Sequence, residues 1–336
     1  MSSREDILDL LSGKKSINKP SFSGLIHITS DGLKHENLDF HEVHYDAQKM
    51  ARAAASTFHL TGMPSAALPL DLCAPAEALG AKLNYYEEME YQFPQPAKSL
   101  FDSTKYLNAA YFQSADFSNK GRLSTIYEAL QLLKKDMGNE VAISGIIPGP
   151  YTLLLYLIEP GGLFAEMKRE RQFVQDALFH LSSFLISVGS AYRSAGADFI
   201  TIHEMGGSPG FIGPAKFEQF VFSALKQLIA DLPKPTVLSV CGNTNKSMHL
   251  LAQTGADAIS VDQLNDLAAS RHALPNTLLF GNIDPIQALA FGAEQDVCNA
   301  IESALDAPVD AIWPGCDLSL QTPIENLKTF INYRRT

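Results

Sequence analysis

Two thiols, an imidazole and several carboxylates stand where short apolar runs end, and these are the residue types that bind a transition metal or move a proton. Cys241 closes the run from Thr236 to Val240, and Cys316 follows the run that begins at Val309. His203 and Glu204 end the run that begins at Phe199, and Asp262 ends the one that begins at Ala258. Asn282 and Asp284 follow Thr277 to Phe280, while Ser239 and Asn243 lie two residues either side of Cys241. If these run ends meet at one mouth, Cys, His and Asp/Glu converge there as the ligand types of zinc. Each also has a plainer role. Free Cys is often a small buried apolar residue, a buried His can satisfy itself by hydrogen bonding, and Asn282 after Gly281 suits a turn. Cys73 and Cys298 read as core, His249 and His272 as helix-face residues, and the stretch with His41, His44 and Asp46 as solvated surface.

The elements that must position these groups repeat one local pattern. Ala195 to His203, Thr254 to Asp262 and Val309 to Cys316 each enter a short apolar run from a small-residue turn and leave it on a polar or thiol side chain. A strand buried on both faces of a parallel sheet reads this way. Runs of period 3.6 lie between them, at Phe217 to Leu228, Ser247 to Gln253 and Val297 to Leu305. With Ser21 to Ile28, Ala66 to Leu70 and Val141 to Ile147 upstream, eight strands alternate with helices. The expected fold is α/β, a single (β/α)8 TIM barrel over 1-336 with an N-terminal extension, an open doubly wound sheet being the competing arrangement. A barrel carries its active site at the C-terminal ends of its strands, where the groups above would stand.

Thr322-Pro323-Ile324-Glu325 predicts an N-cap threonine, a first-turn proline and a last helix running to about Tyr333. The stretch between the second and third strands is too long for one connection and predicts an insertion over 72-120, after the second strand. Its aromatic residues from Tyr85 to Phe117 either form a local apolar core or frame the mouth.

With 336 residues, 46% of them apolar and 19% charged, the chain can bury a full core. The net charge of -11, with no Lys/Arg run longer than a pair, argues against nucleic acid as a partner. No apolar stretch reaches the ~18 residues of a membrane span and the N-terminal stretch from Met1 to Lys15 has no apolar signal segment, so a cytoplasmic protein with no membrane partner is expected. Four cysteines in a chain of this length are not a disulfide framework.

At Cys241-Gly-Asn243, Gly281-Asn282, Pro314-Gly315-Cys316 and Thr322-Pro323-Ile324-Glu325-Asn326, the sequence resembles the methylcobamide:coenzyme M methyltransferase branch of the uroporphyrinogen decarboxylase superfamily. The likeness extends through His44-Tyr-Asp46, Leu68-Pro-Leu-Asp71, Glu77-Ala-Leu-Gly80, Gly121-Arg122-Leu123, Gly149-Pro150 and Ser208-Pro209. It implies a (β/α)8 barrel that transfers a methyl group from a methylcobamide, carried as a methylated corrinoid by a small corrinoid protein, to a small-molecule acceptor. The acceptor implied is a thiol such as coenzyme M, activated at zinc, or tetrahydrofolate.

The family's zinc motif is His-x-Cys after the fifth strand, an acid after the sixth and Cys after the eighth. Cys241, Asp262 and Cys316 match the last three positions, but Ser239 stands where the motif has His. A hydroxyl is a poor zinc ligand, so either His203 or Glu204 completes the set or metal binding is weakened. Glu204, Asp262 and His203 are then the candidate catalytic acids and bases. Ser239, Asn243, Asn282 and Asp284 are candidate contacts for substrate or corrinoid. Two other readings stand beside this one: a decarboxylase-like enzyme acting on another substrate, and a barrel that binds the corrinoid protein without zinc. Uroporphyrinogen itself fits poorly, since Pro20 to Met50 contains no arginine to pair its carboxylates.

Overall fold

The computed structural model describes residues 3–14 and 19–333; Met1, Ser2 and Lys15 of the N-terminal stretch lie outside them. Six strands form one parallel sheet in the order β1 (Ser65–Leu68), β4 (Ala142–Pro148), β5 (Phe199–Glu204), β6 (Thr236–Val240), β7 (Ala258–Val261) and β8 (Leu278–Phe280). The remaining two, β2 (Leu83–Asn84) and β3 (Gln95–Pro96), make a small antiparallel ladder between β1 and β4 in the chain. Helices separate the sheet strands, the longest being Arg171–Ala195. Among the described residues no helix is long and apolar enough to cross a membrane.

Two of the eight expected strands, Ser21 to Ile28 and Val309 to Cys316, are not regular strands. They join the sheet only through the bridges Phe280↔Ala311, Ile283↔Pro314 and Ser21↔Ile312. Proline explains part of this, because Pro20 and Pro314 have no N–H to give a ladder. On the far side, Ser23 N–H donates to the Ser65 hydroxyl at 3.0 Å, and His27 Nε2 lies 3.1 Å from Ser65 O. Side chains stand there in place of backbone pairing.

The strands separate two cores by the period of two that pleating imposes. Ala142, Phe199, Val237, Ala258, Phe280, Ala311 and Trp313 pack on one face with Phe22 and with Ile7, Leu10 and Leu11 of the helix Arg4–Leu11. Ile143, Ile200, Ile202, Leu238, Val240, Ile259 and Val261 pack on the other face, in the larger core formed with the helices. Gly24 lies against the first of these cores. A Cβ there would come within 2.6 Å of Thr201 Oγ1, 2.7 Å of the Phe199 ring and 2.8 Å of Trp313. Phe199 and Trp313 are fully buried and cannot retreat. Gly24→Ala is therefore expected to destabilise the chain by about 1–3 kcal/mol, read as a lower urea midpoint at unchanged slope, and an unchanged midpoint would refute the packing described.

Three local expectations are corrected. The last helix is Ile324–Asn332 with Pro323 at its N-cap; Thr322 makes no cap, and its buried hydroxyl has no partner. Cys298 is half-buried, not core, because the inward stripe of its helix is Val297, Ile301 and Ala304. His44 is buried, for reasons given below.

Candidate metal centre

His203, Cys241 and Cys316 meet at the C-terminal ends of their segments. His203 has the parity of Phe199 and Cys241 that of Val237, so both point to the inner face, and the β5–β6 register sets His203 opposite Ser239. His203 Nε2 lies 3.1 Å from Cys241 Sγ and 3.7 Å from Cys316 Sγ, and the two sulfurs are 2.9 Å apart. All three atoms lie within 4.8 Å of one another, a donor set and spacing able to hold a metal ion.

Electrostatics separate the two thiols. Cys316 is held well below the ordinary thiol range by the hydrogen bond from Cys241 and, despite burial, by His203. Cys241, as the donor in that hydrogen bond and itself buried, is pushed well above it. Burial opposes a charge on His203, yet the Asp317 carboxylate and the Cys316 sulfur outweigh it and raise the imidazole to about 9. Asp317 Oδ2 stands 3.5 Å from His203 Nδ1, and Oδ1 accepts from Ile26 N–H at 2.9 Å. Burial lifts this carboxyl to about 6, against the pull of His203. Once the ring gives up its second proton, as a metal ligand must, a carboxylate behind Nδ1 favours the remaining proton on that nitrogen and leaves the Nε2 lone pair facing the sulfurs.

Glu204 does not join the cluster. One residue beyond His203, it has the parity of Ile200 and Ile202 and faces the helix layer. Its carboxylate accepts from the N–H groups of Tyr151 (3.1 Å), Thr152 (3.0 Å) and Gly207 (2.9 Å), and from the Thr152 hydroxyl. Tyr151 and Thr152 open the helix Pro150–Leu157, whose first N–H groups have no partner within the helix. Burial nonetheless pushes the Glu204 carboxyl upward.

The other candidate polar residues lace the loops together. Asp262 accepts from Gly242 N–H at 3.0 Å and Leu264 N–H at 2.9 Å, and so stands outside the three-atom cluster. Asn282 donates to the carbonyls of Asp262 and Asn265. Asp284 caps the turn Pro285–Ala290 through Ile286 and Gln287, and Asn243 accepts from Asn245. Ser239 is buried on the inner face, one step deeper than Cys241, and its hydroxyl has no hydrogen-bond partner.

Beside Asp317 opens a cleft of about 130 Å³, lined by Ile26, Asp71, Leu72, Phe93, Pro94, Gln95, Tyr156, Met205 and Asp317. Behind its wall, four motif residues scattered in sequence converge. Arg122 grips Asp71 through two nitrogens at 2.7 and 2.9 Å, reaches Glu77 at 2.9 Å and the His44 carbonyl at 3.0 Å, and His44 Nδ1 lies 2.9 Å from Asp71. This cluster buries His44. Despite burial, Arg122 and His44 hold the Asp71 carboxyl far below the usual range. Most of the aromatics between Tyr85 and Phe117 pack on one another or on the long helix, as Tyr111 does on Phe117 (5.3 Å) and Phe112 on His180 (5.6 Å). Of these, Phe93 lines the cleft.

Sequence reasoning missed Asp317, Tyr156 and the role of Asp71. Asp317 follows Cys316 directly, and that adjacency was the one signal available for it.

A family model described as uroporphyrinogen decarboxylase (URO-D) matches residues 4–336. The methylcobamide:CoM methyltransferase MtbA of Methanosarcina mazei is 30% identical over 302 residues, covering 87% of this chain and 87% of that protein. The methylcobamide:CoM methyltransferase MtaA of Methanosarcina barkeri is 28% identical over 295 residues, covering 87% and 86%. A solved structure described as a methyltransferase from Methanosarcina mazei superposes with a TM-score of 0.91 at 24% identity, over 98% of this chain and 96% of that one, so the fold is common to both.

Proposed function

Because the chain belongs to the uroporphyrinogen decarboxylase family, in its methyltransferase branch, we propose that it moves a methyl group from a methylated corrinoid to a thiol, with a zinc ion held by His203, Cys241 and Cys316. The single observation behind this reading is the meeting of those three ligand atoms within 4.8 Å. The donor set suits zinc. Bonds of ~2.3 Å in a tetrahedral shell put two sulfurs ~3.8 Å apart, so the 2.9 Å pair would open by ~0.9 Å to admit the ion. Three protein ligands leave a fourth position for a substrate. The reading also takes the eight segments as a closed barrel with this cluster at its mouth, facing a corrinoid protein.

When bound, zinc lowers the pKa of a thiol from ~8.5 and supplies the nucleophile at neutral pH. The chain's own groups do the rest. Cys241 and Cys316 offer sulfur, His203 offers Nε2, and Asp317 keeps the proton of that imidazole on Nδ1. The cleft beside Asp317 receives the remainder of the acceptor. In the transfer the acceptor sulfur gives its lone pair to the methyl carbon, the carbon–sulfur bond forms, and the cobalt–carbon bond breaks. Its electron pair stays on cobalt, which leaves as Co(I), and the thiol proton goes to solvent. Glu204 has no part in this, facing away and fully engaged.

The cleft favours a thiol over tetrahydrofolate as acceptor, because ~130 Å³ is well below the ~300–1,000 Å³ of sites that enclose drug-sized ligands. It also disfavours a decarboxylase acting on a substrate with many carboxylates, since no Lys, Arg or His lines it to pair them. Elemental analysis with methylcobalamin turnover tests the proposal against the remaining rival, a barrel without zinc. The expected result is about one zinc per chain and thiol methylation, both lost together in Cys316→Ser. Metal-free protein that methylates no thiol would remove the proposal.

A further inference from the structure

The turn that carries Cys241 out of β6 is gripped from both sides. On the β5 side, the Ser208 hydroxyl donates to the Cys241 carbonyl. On the β7 side, Asp262 accepts from Gly242 N–H at 3.0 Å. Asn265 does more than either. Its Nδ2 donates to the Gly242 carbonyl at 2.9 Å and to the Asp262 carbonyl at 3.0 Å, while its Oδ1 accepts from Thr244 N–H at 2.7 Å and from the Thr244 hydroxyl at 2.9 Å. Two donated and two accepted bonds use the full capacity of a carboxamide, and the residue is 6% exposed.

The same loop seats the segment of the other sulfur. Gly315, directly before Cys316, lies against it so closely that a Cβ would come within 2.7 Å of Gln263 Oε1, 2.9 Å of Gln263 N and 3.3 Å of Asp262 Cα. Asn282 ties the loop from the β8 side, donating to the Asp262 and Asn265 carbonyls at 3.3 and 3.1 Å. Residues 262–265 therefore touch both cysteine-bearing segments, and Asn265 reaches the Cys241 turn at two points, Gly242 and Thr244. Any movement of that turn relative to the loop changes the 2.9 Å distance between the sulfurs.

We propose that Asn265 is a positioning residue of the metal centre: by fixing the Cys241 turn to the loop on which the Cys316 segment rests, it sets the gap between the two sulfurs and with it the affinity for the ion. Asn265 acts through Cys241 and is not itself a ligand. The proposal rests on the zinc reading above and adds to it the residue that holds two of the ligands at their spacing. Supports behind a ligand commonly contribute about 10–100-fold to metal affinity.

The test measures metal binding by the purified chain and involves no turnover. Zinc affinity is read by competition with a chromophoric chelator. Cobalt(II) is read by its visible bands and its sulfur-to-metal charge-transfer absorption, which follow the geometry of the ligands. Asn326→Ala is the matched control, because Asn326 is as buried as Asn265 and also donates to two carbonyls, those of Leu289 and Gly292, neither in a cysteine-bearing segment. Both alanine variants strand buried carbonyls and should lower the urea midpoint of the metal-free chain. Only Asn265→Ala should also lower zinc affinity, by about 10–100-fold, and shift the cobalt spectrum. Thr244→Val removes a single bond to Oδ1 and should lose less, about 2–10-fold. Wild-type zinc affinity in Asn265→Ala, or an equal loss in Asn326→Ala, overturns the proposal while the metal site stands. If Asn265→Ala does not fold, wild-type affinity in Thr244→Val overturns it. A wild-type chain that takes up neither metal overturns both readings.

Discussion

His203→Ala is expected to weaken zinc retention by more than the ~10–100-fold that follows loss of a group merely supporting a ligand, and adding Ser239→His is expected to restore most of it. The expectation follows from the sheet register. His203 pairs with Ser239 across β5 and β6, and Ser239 lies two residues before Cys241 on the same inner face. An imidazole can therefore reach the sulfurs from either strand. Ser239 gives up nothing on replacement, since its hydroxyl has no partner, and the alanine at 203 vacates the volume the new ring needs. With His203 still present, two rings contend for one space, so the gain belongs to the double variant. Chelator competition with a chromophoric zinc indicator measures all three proteins. Equal zinc affinity in wild type and His203→Ala would sink the assignment of His203, and failure of the double variant to recover would sink the strand-swap argument.

The second large effect lies behind the cleft wall. Arg122→Met leaves the Asp71 carboxylate 3% exposed without its bidentate partner, and breaking a buried pair from one side costs about 3–5 kcal/mol. The penalty should depend on pH with a definite sign. In the wild type Asp71 is held far below its ordinary range, so its contribution is present at neutral pH and is lost only in strong acid. Without Arg122, burial dominates and raises the carboxyl, so acid neutralises the stranded charge. The loss in urea stability should be largest at pH 8 and smaller at pH 5. A loss below about 1 kcal/mol, or one that grows toward acid, would contradict the assigned role of this pair.

What could be read from the sequence was whatever depends on neighbours in the chain. Thr236–Val240 is a strand as its apolar run implied, and the small-residue turns before Phe199 and Ala258 mark their strands to within a few residues. The period of two also fixes which ends of those strands face inward. Applied at Phe199, it puts His203 on the inner face and Glu204 on the outer one, and reading both as inward neglected that alternation. Ser21 to Ile28 and Val309 to Cys316 looked like strands because their composition is right, but Pro20 and Pro314 withhold donors and leave single bridges. His44 was misread as solvated because its immediate neighbours are polar. Its burial depends on Asp71 and Arg122, 27 and 78 residues away, and no local pattern carries that information.

The bridge between Ser21 and Ile312, with the bond from Ile26 N–H to Asp317 291 residues later, bears on the order in which the protein is built. During synthesis β4 to β8 leave the ribosome in the same sequence in which they pair, so each new strand finds its neighbour already present. His203 and Cys241 face each other at an early stage. Cys316 and Asp317 follow all of these strands and depend on Ser21 to Ile28, a segment translated before any of them. A ribosome that stalls before Pro314 thus releases a product with most of its sheet but one sulfur short, and capture of zinc by a nascent chain would mark the moment at which these two distant segments have met.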